Sequence, residues 1–154
     1  MSAPPTQFKK ADVRVGFVGL GLMGSHLTRR LYASGWSIQA WNRSPQPAKE
    51  IQSQGIAIAA SVAELVAGSD VILSSLANDA AVQSVYFDKG GVFSAVEPGT
   101  VILEMSTISP ELSRDLHREA RTKGGKPSRC GHLWIDTGGR GGDSHAAGGR
   151  SQYL

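Results

Sequence analysis

Three glycines carry the first chemistry in this sequence. Gly19-Leu20-Gly21-Leu22-Met23-Gly24 has the spacing G-x-G-x-x-G. An apolar run, VRVGFV, stands directly before it and a helix-like segment directly after. In that setting the first glycine permits a tight turn. The second lets a ligand approach the backbone, and the third lets the helix pack close to the strand. Free amides at the helix start and the positive end of its dipole then favour a pyrophosphate. Some 20 residues past such a turn, a dinucleotide site places the group that reads the adenosine ribose. Here that place holds Asn42-Arg43-Ser44 and no acid. A carboxylate would accept from a 2′-hydroxyl and repel a 2′-phosphate. A guanidinium offers a fork of donors to the phosphate, with amide and hydroxyl donors on either side. The residues favour NADP over NAD.

The elements that must position these groups follow a regular rhythm from residue 13 to about 123. Strand readings fall on Val13–Val18, WSIQAW, a weak IAIAA, Asp70–Leu76 and Val101–Met105, each followed by a helical stretch. The helices are read at Leu22–Ser34, Pro47–Gln54, a segment opened by the Ser61–Glu64 capping-box spacing, Asn78–Tyr86, and a last one opened by Ser109-Pro110. Strands alternating with helices, and apolar along their length, predict an α/β fold with a Rossmann-type doubly wound parallel sheet in the order 3-2-1-4-5-6.

Composition sets the outer bounds. A chain of 154 residues with 40% hydrophobic and 19% charged residues is of single-domain size and globular. Its net charge of +3 suits an anionic ligand and falls short of a nucleic-acid-binding patch. The single cysteine, Cys130, excludes an internal disulfide. The opening residues lack the apolar core of a secretory signal, and no run is long enough to cross a bilayer. These readings predict a cytoplasmic protein with neither membrane nor nucleic-acid partners. His26 and His117 have no second ligand at metal spacing, so no metal site is expected.

Several stretches beyond the glycine turn carry a family resemblance: SLANDAAV (Ser75 to Val82), GVFSAVEPGT and EMSTISP (Glu104 to Pro110), with FVGLGLMG and WNRS before them. From residue 13 to about 125 the chain resembles the β-hydroxyacid dehydrogenases. These include 3-hydroxyisobutyrate dehydrogenase and the NADP-binding domain of 6-phosphogluconate dehydrogenase. The resemblance implies an oxidoreductase lineage acting on a small 3-hydroxy acid or semialdehyde. It places Leu76 and Ala77 along the cofactor and Ser106 and Thr107 near the nicotinamide ribose. Ala77 stands where the family often has proline. Leu27 and Arg30 stand where it tends to have methionine and asparagine.

The family continues into a substrate loop, a helix bearing a catalytic lysine, and an all-helical domain. None of these is matched here, and Lys123 and Lys126 precede the loop's expected place. The chain is therefore expected to bind the dinucleotide without turnover. The alternatives are a non-catalytic binding module or a fragment of an imine reductase-like enzyme. Without the helical domain, the family's oligomer is not expected.

The rhythm stops at Gly125. Nine of the 19 glycines fall after residue 123. The domain reading is a disordered tail over 1–12, the NADP-binding domain over 13–125 and an irregular glycine-rich tail over 126–154. A shifted reading frame accounts for that tail. Read one base late, Ser128 to Thr137 can encode LDVAISGSTP, which resembles the family's substrate loop. Loss of the sixth strand would leave the fifth as an open edge, prone to non-specific association.

Overall fold

The computed structural model describes residues 10–123, 126–127 and 133–136. Five strands run parallel: β1 (Arg14–Val18), β2 (Ser37–Trp41), β3 (Ala57–Ile58), β4 (Val71–Ser74) and β5 (Val101–Glu104). They alternate with α1 (Leu22–Ala33), α2 (Pro45–Gln52), α3 (Val62–Ala67), α4 (Asp79–Phe87) and the single turn α5 (Val92–Ala95), and α6 (Pro110–Thr122) follows β5. The sheet order begins β3-β2-β1-β4-β5, the first five places of the doubly wound order expected from the sequence.

Side chains alternate between the two faces of this sheet, as the pleat requires. Phe17 packs with Leu20, Ile38, Ala40 and Ile51 in one cluster. Its neighbour Val18 packs with Leu65, Ile72, Val82, Ile102 and Leu116 in the other. Each fully buried side chain of this size stabilises the fold by about 1.5–3 kcal/mol relative to exposure, so the two layers together fix the sheet.

Helix starts follow their capping residues. Ser61, Asn78 and Ser109 each accept a hydrogen bond from the amide three residues on, at Glu64, Ala81 and Leu112. Each such cap is worth about 1 kcal/mol. The Glu64 carboxylate reaches back to the amide of Ala60 at 3.0 Å, one residue before the N-cap that a capping box would engage. α2 starts two residues earlier than the sequence reading, because Pro45 is already a good first helical residue behind Ser44.

Two features depart from expectation. A 3₁₀ turn at Lys10–Asp12 precedes β1, inside the stretch read as a disordered tail. At the other end, β5 is not an open edge. β7 (Leu133–Asp136) pairs with it antiparallel, and β6 (Lys126–Pro127) pairs with β7. Both lie in the segment read as irregular. Backbone pairing satisfies an exposed edge whatever the side-chain pattern, which is why periodicity gave no sign of it. The remainder of that segment, including most of the residues of the shifted-frame reading, lies outside the described residues. Among the described residues no helix is long and apolar enough to cross a membrane.

The strand register sets up the site. Trp41 pairs with Val18, Val18 with Ser74, and Ser74 with Glu104. The carboxyl ends of β2, β1, β4 and β5 therefore finish on one rung, and the loops that follow them meet above it. Ligands of open α/β sheets bind there, where the chain switches direction between β1 and β4.

Candidate dinucleotide-binding site

The glycine turn takes its shape from contacts on three sides. Gly19 has a φ of +94°, and a side chain there would put its Cβ 2.3 Å from the carbonyl oxygen of Ser75. Only glycine fits both constraints. A Cβ on Gly24 would lie 1.9 Å from the carbonyl oxygen of Gly19, so α1 presses against the turn that precedes it. Gly21 differs: a Cβ built there meets nothing within 4 Å. Its missing side chain is required by no neighbour in the fold, and it leaves a concave surface open.

That surface belongs to a cavity of about 760 Å³. Gly19, Leu20, Gly21, Leu22 and Met23 form one wall, with Trp41, Asn42, Arg43 and Ser44 beside them, and Ser75, Leu76 and Ala77 on the β4 side. Gly21 is the N-cap of α1 and contributes no side-chain cap. The first intrahelical bond runs from Ser25 N–H to the Gly21 carbonyl. The amides of Leu22, Met23 and Gly24 therefore have no intrahelical acceptor. No acid stands in the first turn to answer the dipole. An uncapped helix start facing an open cradle fits a pyrophosphate.

The neighbouring loops are fixed to this turn. The Leu20 amide donates to Asn42 Oδ1 at 2.8 Å, and Asn42 Nδ2 donates to the Ser44 carbonyl at 2.9 Å. Asn42 lines the cavity, and its side chain is engaged at both ends: Oδ1 locks the end of β2 to the glycine turn, and Nδ2 is bonded to the Ser44 carbonyl. Arg43 is exposed on the cavity wall. It has no hydrogen-bond or ion-pair partner among the described residues.

Of the remaining expected residues, Gly24 lies beneath the turn and does not line the cavity. Neither do Ser106 and Thr107. Ser106 instead stitches two loops together: its Oγ accepts from the Leu76 amide at 2.7 Å. Sequence reasoning missed the far wall, where Ala60, Ser61 and Val62 meet Ser84, Val85 and the Asp88–Gly91 turn. Trp41 stands on the near wall and also packs against the buried cluster around Val18. No run of residue types marks such a wall, because it is assembled from segments more than 20 residues apart. Among the described residues no group of histidine, cysteine and acidic side chains could hold a metal ion.

A doubly wound parallel sheet with a G-x-G-x-x-G turn at its switch point and an uncapped helix start above it defines a Rossmann-type nicotinamide-dinucleotide-binding domain. The family model for the NAD binding domain of 6-phosphogluconate dehydrogenase matches residues 14–153, and the chain belongs to that family. A probable mitochondrial 3-hydroxyisobutyrate dehydrogenase-like protein of Arabidopsis thaliana is 34% identical over 77% of this chain and 37% of its own. The structure of Mycobacterium tuberculosis 3-hydroxyisobutyrate dehydrogenase with L-serine superposes with a TM-score of 0.66 at 30% identity, covering 71% of this chain and 37% of that one. Psf3 in complex with NADP+ and 2-OPP gives a TM-score of 0.69 at 32% identity, covering 74% of this chain and 42% of that one. The chain thus spans about two-fifths of the length of these relatives. It corresponds to the cofactor domain of 3-hydroxyisobutyrate dehydrogenase-like oxidoreductases.

Proposed function

We propose that this chain binds NADP(H) in preference to NAD(H), as the cofactor domain of an oxidoreductase lineage acting on a small 3-hydroxy acid or semialdehyde. The observation that carries the reading is the contrast among the three glycines. Gly19 and Gly24 are closed in by backbone, while Gly21 opens onto the cavity. The turn is built to admit something from outside.

In this reading the pyrophosphate lies against Gly19 to Met23, with the amides of Leu22 and Met23 donating to its oxygens. Arg43, exposed on the wall, takes the 2′-phosphate, with Ser44 beside it. Asn42 holds the turn in place. Leu76 and Ala77 run along the cofactor, and Ser106 and Thr107 lie towards its nicotinamide end. The bound nicotinamide supplies hydride transfer. This chain's own residues supply binding and orientation, and no matched lysine provides a proton at a substrate oxygen. Binding without turnover is therefore expected of the chain alone.

The charge pattern and the lone Cys130 favour a cytoplasmic setting without nucleic-acid or membrane partners. Titration of the chain with NADPH and NADH, alongside a turnover assay with hydroxyacids and semialdehydes, tests the reading. Tighter NADPH binding with no turnover supports it. Equal affinities, or no binding, contradict it.

A further inference from the structure

Beneath the cavity floor lies a buried polar chain that the cofactor reading does not use. Glu104 ends β5 and is 2% exposed, on the same sheet face as the fully buried Ile102. Its Oε2 accepts from Ser74 Oγ at 2.5 Å, and its Oε1 accepts from the Ser106 amide at 2.7 Å. The Ser74 hydroxyl has one proton and gives it to Glu104. The phenol of Tyr86, 2.6 Å from Ser74 Oγ, is therefore the donor of that pair. Burial, with Glu104 adding to it, pushes the Tyr86 phenol well above its usual range, so the phenol keeps its proton.

The chain runs in one direction: Tyr86 to Ser74, Ser74 to Glu104, with Ser106 held at the other carboxylate oxygen. Ser106 in turn accepts the amide of Leu76, a residue of the cavity wall. Both carboxylate oxygens are engaged, and the Tyr86 and Ser74 hydroxyls have defined directions. Three carbonyls fix the same region from the backbone side. Ser75 N–H donates to Val18, Met105 N–H to Ser74, and Gly19 N–H to Trp41. The Leu76 amide, one residue further on, is held by the Ser106 hydroxyl. A buried network with all its partners in place defines one geometry, and one missing partner undoes it.

The geometry points to Glu104 as a positioning residue that sets the Leu76 wall of the cofactor site through Ser106, without touching the cofactor. A buried carboxylate is an expensive way to tie two loops, because its burial must be offset by its hydrogen bonds. Its placement at the end of a strand, directly behind a loop that lines the cavity, gives that burial a purpose. Replacement by glutamine keeps the shape but leaves one acceptor where two are needed. The inference rests on the cofactor reading proposed above for its effect on binding, but not for the loop geometry.

The experiment combines NADPH titration with the amide NMR spectrum of the uniformly ¹⁵N-labelled chain. Glu104→Gln and Ser106→Ala should each keep the fold by circular dichroism, move the Leu76 amide resonance in the absence of any ligand, and weaken NADPH binding about tenfold. Because they break one chain, the double variant should be no more than about tenfold weaker, where independent sites would give about a hundredfold. Ser106→Thr retains the hydroxyl and should restore both readouts, which a general loss of stability would not allow. Should Glu104→Gln fail to fold, Tyr86→Phe at the far end of the chain takes its place, with a smaller movement of the same resonance. An unmoved Leu76 amide, or losses that multiply, overturns the inference. A wild-type chain that binds no NADPH defeats the cofactor reading instead, and the ligand-free resonance still decides this one.

Discussion

Asn42 Oδ1 accepts the amide of Leu20 at 2.8 Å, and this bond joins the end of β2 to the glycine turn after β1. Two residues, 22 apart in sequence, thereby hold the two ends of one cavity wall in register. Arg43 stands next to Asn42 with no partner for its side chain among the described residues, and in the proposed reading the pair divides the work. Asn42 shapes the wall, and Arg43 is the residue proposed to select what lies on it.

That division is testable by comparing cofactors. Asn42→Ala removes the acceptor of Leu20 and the donor to Ser44. It should weaken NADPH and NADH alike, each by about fivefold to tenfold, as expected for a lost hydrogen bond of about 1 kcal/mol. A loss confined to NADPH would place Asn42 on the phosphate itself.

Arg43→Asp should behave differently. It replaces the donor fork by a carboxylate that repels a 2′-phosphate and accepts from a 2′-hydroxyl. NADPH should weaken by about a hundredfold, corresponding to roughly 2–3 kcal/mol for a charge-assisted bond, while NADH is spared or improves. Equal responses of the two cofactors would show that Arg43 does not reach the phosphate.

The glycines separate stability from binding. Gly24→Ala puts a Cβ 1.9 Å from the Gly19 carbonyl oxygen, so helix and turn must part. A loss of about 1–3 kcal/mol is expected, as for overpacking of a closed site, with a melting temperature lower by several degrees. Gly21→Ala meets no atom within 4 Å, and its φ of −66° suits alanine. Its melting temperature should match the parent, whereas its affinity for either cofactor should fall tenfold or more.

At the opposite end of the sheet, Arg14 pairs with Asp70 at 2.7 Å and holds that carboxyl below the usual aspartate range, chiefly through the side-chain hydrogen bond. Because the folded value is depressed, the pair's contribution is full above the ordinary aspartate value of about 3.9 and is lost as pH falls through the lower folded one. Both side chains are about half exposed, which limits the contribution to less than about 1 kcal/mol. Asp70→Asn should lower the melting temperature slightly at pH 7, and the difference from the parent should close in strong acid. A difference that persists unchanged at pH 2 would assign the effect to something other than this pair.

The parts of the fold legible in the sequence were those written locally. The glycine turn announces itself because Gly19 needs positive φ and Gly24 needs close approach, both one-residue demands. Ser61, Asn78 and Ser109 mark helix starts because a cap acts over three residues. The turn at Val92–Ala95 went unread because four residues carry no period. Ser106 follows β5, and its bond to Leu76, 30 residues away, has no local signature. Glu104 reads in sequence as an acid at a strand end, and only the register with Ser74 shows it as buried. The place of β7 beside β5 followed from backbone pairing, which residue types scarcely encode.

In the proposed function, the turn from Gly19 to Gly24 grips a dinucleotide that Arg43 selects by its 2′-phosphate. Isothermal titration calorimetry of the folded chain with NADPH, repeated with NADH and with Gly21→Ala, tests it most directly. NADPH should bind one to one, NADH at least tenfold more weakly, and both should weaken tenfold or more in the variant. A correctly folded chain that gives no heat with saturating NADPH, or a Gly21→Ala chain that binds as well as the parent, would contradict it.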